Sequence, residues 1–259
     1  MKKSLIVFTY FASPSSDFNL QFFVSKELTY KEDIDYIIVI NGYTTSIHFP
    51  TIPNLTIIRR ENIGYDFGGH AHALQYIHQH NKNYDYYFFM NSGVFGPIWD
   101  NNNHWSNVFI QKITDKVKLV GTSIVCLNSN QHPIPGPRIE GFCFMVDSIG
   151  LTILENKKNI FCKHIDKRAA IVDGEYGLST AIFQNGYTID CMLPIYKNID
   201  WTNPKNHNLN NNQHASRKNG LFGSSINPYD VIFHKWFWRY EEDVHFNIIN
   251  DYKKKNENK

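Results

Sequence analysis

Apolar residues in the first hundred positions alternate between continuous runs and stretches with helical spacing. The continuous runs, which are typical of strands buried on both faces, are SLIVFTYFA, DYIIVING, LTIIRREN and DYYFFMNSG. An amphipathic stretch, DFNLQFFVSKELTYK, follows the first run, and a second helix is predicted from Gly69 onward. This alternation predicts an α/β fold with a mostly parallel sheet that carries helices on both faces.

The second half departs from this rhythm. KLVGTSIVCL predicts a further strand, IEGFCFMVD alternates as a strand with one buried face does, and YTIDCMLPIY predicts a late strand. VDGEYGLSTAIFQNG predicts a helix that stops at Gly186. Residues 201–225 are polar and rich in Asn, which predicts a mobile surface loop.

Composition narrows the class of protein. With 259 residues and 42% hydrophobic content, the chain can bury a globular core. The net charge of +2 comes from 26 basic and 24 acidic residues, and the charge run is the terminal KKKNENK, so nucleic acid is not an expected partner. The 15% aromatic content suits stacking on sugars or bases, although an AT-rich genome would produce the same bias.

The cysteine spacing and the length of the apolar runs indicate the cellular compartment in which the protein is expected. The four cysteines form no CxxC pair, which argues against a zinc knuckle or a redox pair. The run LIVFTYF is too short for the core of a signal peptide and is interpreted as the first buried strand. No stretch is long enough to span a membrane. We therefore expect a cytoplasmic protein without a transmembrane segment.

The turn at residues 62–69 carries the first candidate chemistry. Gly64, Gly68 and Gly69 would let the backbone approach a ligand closely, and Asp66 could accept hydrogen bonds from hydroxyls such as a ribose diol. The glycine spacing does not match GxGxxG, so this turn is not a dinucleotide fingerprint. The alternative is a tight turn whose Asp caps the following helix.

The ends of the predicted strands carry the second candidate site, because parallel sheets bind ligands at the carboxyl ends of their strands. These ends are Thr9 to Phe11, Asn41 and Gly42, Arg60 to Asn62, and Asn91 to Gly93. In YYFFMNSGVFGP, the small polar groups of Asn91-Ser92-Gly93 could hold a diphosphate or a sugar. An ordinary strand and turn is the alternative.

Together, ENIGYDFGGHAHAL and the later FFMNSGVFGP resemble the GT-A-type nucleotide-sugar glycosyltransferases, in particular the rhamnan-synthesis-like polysaccharide-assembly enzymes. RIEGFCFMV and GEYGLSTAIFQNGY resemble later segments of that group, so the resemblance covers roughly residues 4–196. It implies a GT-A fold, with a mostly parallel Rossmann-like sheet flanked by helices and continuous with a mixed acceptor-binding half. We expect one domain over residues 1–259, comprising a nucleotide-binding half (1–98), an acceptor-binding half (99–245) and a polar tail (246–259).

The resemblance also assigns expected roles to residues. The donor-binding set is expected to be Tyr10, Asn41, Arg60, Asn62, Gly64, Asp66, Gly69, Asn91, Ser92 and Gly93. Asp66, Asn62 and the neighbouring glycines would hold the nucleoside, helped by Tyr10 and Asn41. Asn91, Ser92 and Gly93 would lie at the diphosphate and donor sugar. The expected acceptor-binding residues are Glu140, Gly141 and Trp236, for a glycan or lipid-linked acceptor.

The metal requirement of this group is in doubt for this chain. GT-A enzymes commonly carry Asp-x-Asp at the end of the fourth strand to hold Mn²⁺ or Mg²⁺, and Asn91-Ser92-Gly93 stands there instead. Without a metal, the departing diphosphate needs other partners. The candidates are Arg59, Arg60, Arg138, His234, Lys235 and Arg239. His234 could complete a metal site, but a packed core histidine is the favoured interpretation.

For catalysis, inverting transfer needs a carboxylate that takes the acceptor hydroxyl's proton. Glu175 is the first choice for this base, with Asp173 beside it and Glu140 as a second candidate. Acidic residues at a helix N-terminus can equally serve capping and the helix dipole.

The sequence therefore favours a glycosyltransferase that moves a sugar from a nucleotide-sugar donor to a glycan or other hydroxyl acceptor, with inversion. The alternative is a catalytically silent GT-A module that binds a nucleotide-sugar or glycan. A nucleotidyltransferase ranks last, because FASPSSDF supplies neither glycine nor a basic residue after the first strand.

Overall fold

The computed structural model describes residues 2–130 and 134–235, together with residues 247, 250, 251 and 254. Its strands are β1 (Ser4–Phe11), β2 (Ile34–Asn41), β3 (Leu55–Arg60), β4 (Tyr86–Asn91), β5 (Val94–Phe95), β6 (Val117–Gly121), β7 (Ile124–Leu127), β8 (Gly136–Ile139), β9 (Cys143–Asp147), β10 (Thr188–Cys191) and β11 (His234–Lys235). Its α-helices are α1 (Pro14–Glu27), α2 (Tyr65–Gln79), α3 (Ser106–Ile110), α4 (Ser148–Glu155), α5 (Lys167–Ala169), α6 (Tyr176–Gln184) and α7 (Pro228–Val231). A π-helical stretch (Ala170–Glu175) joins α5 to α6.

Seven of these strands form one sheet in the order β10-β6-β9-β4-β1-β2-β3. The pairs from β3 to β4 are parallel, and so is β10 with β6. β9 is antiparallel to both of its neighbours, so β6 and β10 run in the same direction as β1–β4. All strands of this sheet except β9 therefore end at the same edge, which we call the carboxyl edge. The predicted α/β class with a mostly parallel, Rossmann-like sheet is confirmed.

The central strands form the core, as their continuous apolar runs predict. Residues Leu5 to Phe8 of β1 and Phe88 to Met90 of β4 are at most 1% exposed. The rings of Phe89 and Phe144 stack across the β4–β9 pair with centroids 5.2 Å apart. The sheet thus takes buried strands from both halves of the sequence.

Several elements differ from the sequence prediction. α2 begins at Tyr65 rather than at Gly69, because Gly64 adopts a φ of 80° and starts the helix. The run KLVGTSIVCL is divided into β6 and β7, and β7 pairs with β8 instead of joining the main sheet.

The segment 201–225 is not the mobile loop that its composition predicts. Trp201 and Ala215 are at most 1% exposed, and Asn210 accepts a hydrogen bond from the backbone of Cys126 at 2.8 Å. Asn210 also donates to the carbonyl of Ile124 at 2.8 Å. Buried side-chain amides therefore bind this polar segment to β7.

No helix among the described residues combines the length and the apolar character that a membrane crossing requires.

Helix α2 packs very closely on β1. A Cβ atom at Gly69 would lie 2.5 Å from Cγ2 of Thr9. Thr9 cannot turn away freely, because its Oγ1 lies 3.0 Å from Nδ1 of the fully buried His70. The absence of a side chain at Gly69 therefore sets the distance between the helix and the strand end.

Replacing Gly69 with Ala is expected to destabilise the protein by about 1–3 kcal/mol, because overpacking outweighs the better helix propensity of Ala. The measurement is the free energy of unfolding in urea. Gly177→Ala in α6 is the matched control, since its Cβ would lie 3.3 Å from the flexible side chain of Ile160. A Gly69→Ala protein as stable as the parent would contradict the close packing.

Candidate functional site

The strand register brings the predicted polar strand ends together at the carboxyl edge. Asn41 of β2 pairs with Phe11 of β1 and with Arg60 of β3. On the other side of β1, Thr9 pairs with Asn91 of β4. Four strand ends thus form one continuous edge, as parallel pairing requires.

A hydrogen bond joins the two sequence motifs directly. Nδ2 of Asn91 donates to Oδ2 of Asp66 at 2.7 Å. Oδ1 of Asn91 accepts from the backbone N–H of Gly93 at 3.0 Å, and Oδ1 of Asp66 accepts from that of Phe67 at 3.1 Å. Gly64, not Asp66, is the N-cap of α2, and it makes no side-chain capping bond. Asp66 therefore joins the two motifs, which replaces the alternative in which it caps the helix.

The glycines of the 62–69 turn serve contacts within the protein. A Cβ added to Gly64 would lie 2.5 Å from Cα of Lys163. A Cβ added to Gly68 would lie 2.5 Å from the carbonyl oxygen of Ile63. Gly69 meets Thr9 in the same way. These positions need glycine because protein atoms fill the space that a side chain would take.

Arg60 supports this turn from beneath. Arg60 is buried, and its guanidinium donates to Oδ1 of Asn41 at 2.6 Å and to the carbonyl of Ile63 at 2.5 Å. Asn41 in turn donates to the carbonyl of Tyr65 at 3.4 Å. Burial lowers the pKa of Arg60. Both predicted donor-binding residues thus hold the turn, and Asn62 lies exposed at its tip.

Three exposed rings surround this part of the edge, and we call them the aromatic rim. Phe11, Tyr43 and Tyr65 are 50%, 52% and 41% exposed. Tyr43 and Tyr65 also have positive φ angles of 65° and 57°, which bulky residues rarely adopt. The predicted Tyr10 is different, since it is 1% exposed and donates its hydroxyl to Asp17.

Helix α1 holds the Asn91-Ser92-Gly93 turn from the other side. Asn19 donates to the carbonyl of Ser92 at 2.9 Å, and the hydroxyls of Ser92 and Ser16 lie 3.1 Å apart. The backbone N–H of Ser92 donates to the carbonyl of Thr9 at 2.9 Å. The turn is therefore fixed by β1 and α1 together.

Glu175 lies in the same cluster of charges as Asp66. Its Oε1 accepts from the backbone N–H of Gly141 at 2.9 Å. Burial raises the pKa of Glu175, the charge of Lys235 opposes this, and the charges of Glu140 and Asp66 raise the pKa further. A Cβ at Gly141 would lie 2.9 Å from Cγ of Glu175, so glycine is required there.

Lys235 supplies the positive charge at this position. The pairing of β11 with β5 sets Lys235 opposite Val94, immediately after the Asn91-Ser92-Gly93 turn. Its Nζ lies 5.2 Å from the centroid of the Phe142 ring. The sequence offered Lys235 as one of six cations, and only the strand pairing distinguishes it from the others.

Glu140 faces inward. It is 2% exposed, and its carboxylate accepts from Ser123 at 2.6 Å, from Nδ1 of His214 at 3.0 Å, and from the hydroxyl and backbone N–H of Ser216 at 2.6 and 3.2 Å. Burial acts to raise the pKa of Glu140. The hydrogen bond and the charge of His214, together with Lys235 and Ser123, outweigh burial and lower this pKa to about 2. This carboxylate anchors the 214–216 segment, and its role in an acceptor site stays a prediction.

The remaining predicted residues are Asp173, His234 and Trp236. Asp173 lines a different surface pocket with Lys157 and Asn159. His234 is 2% exposed, and within the part of the chain that the structure describes no three His, Cys, Asp or Glu side chains are placed to hold a metal ion. Trp236 lies outside the described residues, and so does Arg239.

Glu140→Gln is expected to lower stability most at neutral pH. Because the pKa of Glu140 is lowered from 4.5 to about 2 in the folded protein, its stabilising effect is complete above about pH 5 and is lost as the pH falls toward 2. The parent should exceed the variant by about 3 kcal/mol at pH 7, and the difference should shrink by pH 3. Urea unfolding at both pH values measures it, with the exposed-site variant Glu32→Gln as control. If the difference in unfolding free energy between the parent and Glu140→Gln did not change with pH, the charged Glu140 carboxylate would not be what stabilises the 214–216 segment.

Comparison with known proteins finds one matching family model and similar solved structures. Residues 37–116 match the family of Rhamnan synthesis protein F (RgpF). No curated protein matches the chain. Among solved structures, the mannosyltransferase PcManGT from Pyrobaculum calidifontis, in complex with GDP-Man and Mn²⁺, is similar with 15% identity and a TM-score of 0.45 over 73% of this chain. This chain covers 54% of that one, about half its length. The predicted resemblance to rhamnan-synthesis proteins is thus confirmed over the residues that contain the Asp66–Asn91 contact.

Proposed function

We propose that this protein is a GT-A-type glycosyltransferase of polysaccharide biosynthesis. It would move a sugar from a nucleotide-sugar donor to a glycan, lipid-linked or other hydroxyl acceptor. The observation that carries the proposal is the hydrogen bond between Asp66 and Asn91, because it brings both family-like motifs to the carboxyl edge beside Glu175 and Lys235. The family match over residues 37–116 covers both partners of that bond.

The nucleoside would lie against the aromatic rim. Exposed rings offer flat apolar surfaces on which a base can stack, and Phe11, Tyr43 and Tyr65 surround the backbone of Asn41 and Gly42. Asp66 is partly exposed, and its carboxylate retains acceptor capacity beyond the two bonds it makes. It would therefore accept hydrogen bonds from ribose or sugar hydroxyls.

The diphosphate would lie between the Asn91-Ser92-Gly93 turn and Lys235. A cation beside the leaving group stabilises the charge that develops as the bond to the sugar breaks. Mn²⁺ or Mg²⁺ would need oxygen ligands, but Asn91 has its amide engaged by Asp66 and Gly93. Lys235 and the turn would therefore stabilise the leaving diphosphate.

Glu175 would act as the base. Its raised pKa makes it a stronger proton acceptor, and the charges of Asp66 and Lys235 both act on it. The acceptor oxygen forms a bond to the anomeric carbon while the bond from that carbon to the diphosphate oxygen breaks. The proton passes to Glu175 and the electron pair leaves with the nucleotide. Attack opposite the leaving group inverts the anomeric centre.

The alternative is a silent GT-A module that binds a nucleotide-sugar or glycan without transferring it. The observation that favours it is the replacement of Asp-x-Asp by Asn91-Ser92-Gly93. The transferase and a module that binds a nucleotide-sugar both require nucleotide binding at the carboxyl edge, and only the transferase requires Glu175. Binding and turnover must therefore be measured separately.

Nucleotide binding is expected to raise the unfolding temperature. UDP, GDP, dTDP, CDP and CMP would each be added with Mn²⁺ and with EDTA, and a ligand at a hundred times its Kd stabilises the protein by about 2.7 kcal/mol. Asp66→Asn should weaken the effective nucleotide by about tenfold or more, because a charged acceptor is lost. Glu32→Gln is the control. If no nucleotide stabilises the parent, the transferase and a module that binds a nucleotide-sugar are both wrong, and only a glycan-binding module is left.

Glu175→Gln is expected to abolish transfer while the nucleotide-dependent stabilisation persists. Release of nucleoside diphosphate from UDP-glucose, GDP-mannose and dTDP-rhamnose, with and without candidate glycans, measures the turnover. In the parent, the rate should fall as the pH drops through the raised pKa of Glu175, above the ordinary value of 4.5. Asp173→Asn should retain turnover, because Asp173 lies outside the cluster. Loss of turnover in Asp173→Asn but not in Glu175→Gln would make Asp173 the base instead of Glu175. Absence of turnover in the parent would support the binding module.

A further inference from the structure

A second cavity lies away from the carboxyl edge. Its volume is about 660 Å³, which is within the range of small-molecule sites. It is enclosed by the C-terminal half of α6, the start of β10, part of β8 and residues 200–207. β10 is the edge strand at the far side of the sheet from β3, and Thr188 is its first residue, whereas the proposed donor site lies where β1–β4 end.

A buried cation lines this cavity. Arg138 is 2% exposed, and its two terminal nitrogens donate to the carbonyls of Pro137 and Ile134, each at 2.7 Å. Its Nε is buried and has no hydrogen-bond partner. Among the salt bridges of the described residues, none involves Arg138. Burial lowers the pKa of Arg138 to about 10, so the group is charged at neutral pH.

Two further polar atoms in the lining lack partners. Nε1 of Trp201, a residue that is 1% exposed, and the hydroxyl of Thr188 are both buried without a hydrogen bond. The indole and guanidinium N–H groups can only donate, so the unsatisfied groups together require an acceptor. Leaving such donors unpaired in an apolar environment is costly.

The rest of the lining is largely apolar or directed to solvent. Pro135, Pro137, Phe183 and Tyr187 provide its apolar surface. The charged side chains of Lys116 and Asp200 are exposed, and the Asp200 carboxylate accepts hydrogen bonds from the backbone and hydroxyl of Thr202 at 2.9 and 2.6 Å. The residues that line the cavity therefore include one buried positive charge and several unsatisfied polar groups beside apolar side chains.

We propose that this cavity is a binding site for a small organic anion. A carboxylate or similar oxyanion would accept from Arg138 and Trp201, with Thr188 as a third partner, and an aromatic or hydrocarbon body would fill the apolar walls. The ligand supplies both the missing negative charge and the missing acceptor. This site is independent of the proposed sugar transfer.

The probe for this site is 2-naphthoate, with neutral 2-naphthamide as its matched control, titrated into the full chain by calorimetry. The naphthoate should bind and the amide should bind at least about tenfold more weakly, since only the anion pairs with Arg138. Arg138→Met should weaken naphthoate binding by about tenfold or more. Arg168→Met removes an exposed arginine elsewhere and should leave binding unchanged, as should Asp66→Asn in the donor site.

Thr188→Val is a second variant that tests the proposal even if Arg138→Met does not fold. It removes a hydroxyl without changing the side-chain shape, and should weaken naphthoate binding by a few fold while the unfolding temperature is kept or raised. Absence of naphthoate binding to the parent at about 1 mM overturns the proposal. So does equal binding of the acid and the amide, or parent-like binding by folded Arg138→Met and Thr188→Val proteins. None of these outcomes bears on nucleotide binding at Asp66.

Discussion

The parallel pairing of β1 with both β2 and β4 determines where the functional groups of this protein can lie. Because these strands run in one direction and share a register, Asn41, Arg60 and Asn91 must end at a common edge. β1 itself is almost fully buried and contributes structure more than chemistry, since Thr9 holds both α2 and the turn after β4. The chemistry then depends on the groups that the neighbouring loops bring to that edge.

The edge is a rigid scaffold rather than an open loop cluster. Arg60, Asn41 and Asn19 each use their polar atoms to hold backbone carbonyls of the adjoining turns. Such residues do not need to touch a ligand to matter, because preorganised turns are what allow a few exposed groups to act together. The glycines of the 62–69 turn belong to the same framework, since each is required by a protein atom within contact distance.

Much of the fold can be predicted from the sequence, but the details of the site depend on tertiary contacts. Continuous apolar runs identify β1, β2 and β4, and the carboxyl-edge rule then places Asp66 and Asn91 in one region. The inward direction of Glu140 could not be predicted, because its partners His214 and Ser216 lie more than seventy residues away along the chain. Lys235 likewise depends on the pairing of β11 with β5, and two-residue strands leave no pattern in a sequence. The packing of the 201–225 segment could not be predicted from its composition. A sequence does not distinguish a buried Asn that bonds to the backbone, such as Asn210, from an Asn exposed to solvent.

The π-helical stretch before α6 has a consequence for how relatives of this protein should be compared. A π-helical turn accommodates an extra residue within an otherwise regular helix and rotates the residues beyond it. Here the stretch ends at Glu175, so the side chain that meets Gly141 depends on that extra residue. In a relative whose helix is regular, the residue aligned to Glu175 without a gap would face a different direction. Equivalent positions in relatives should therefore be assigned by the contact with the Gly141 backbone and not by column in an ungapped alignment.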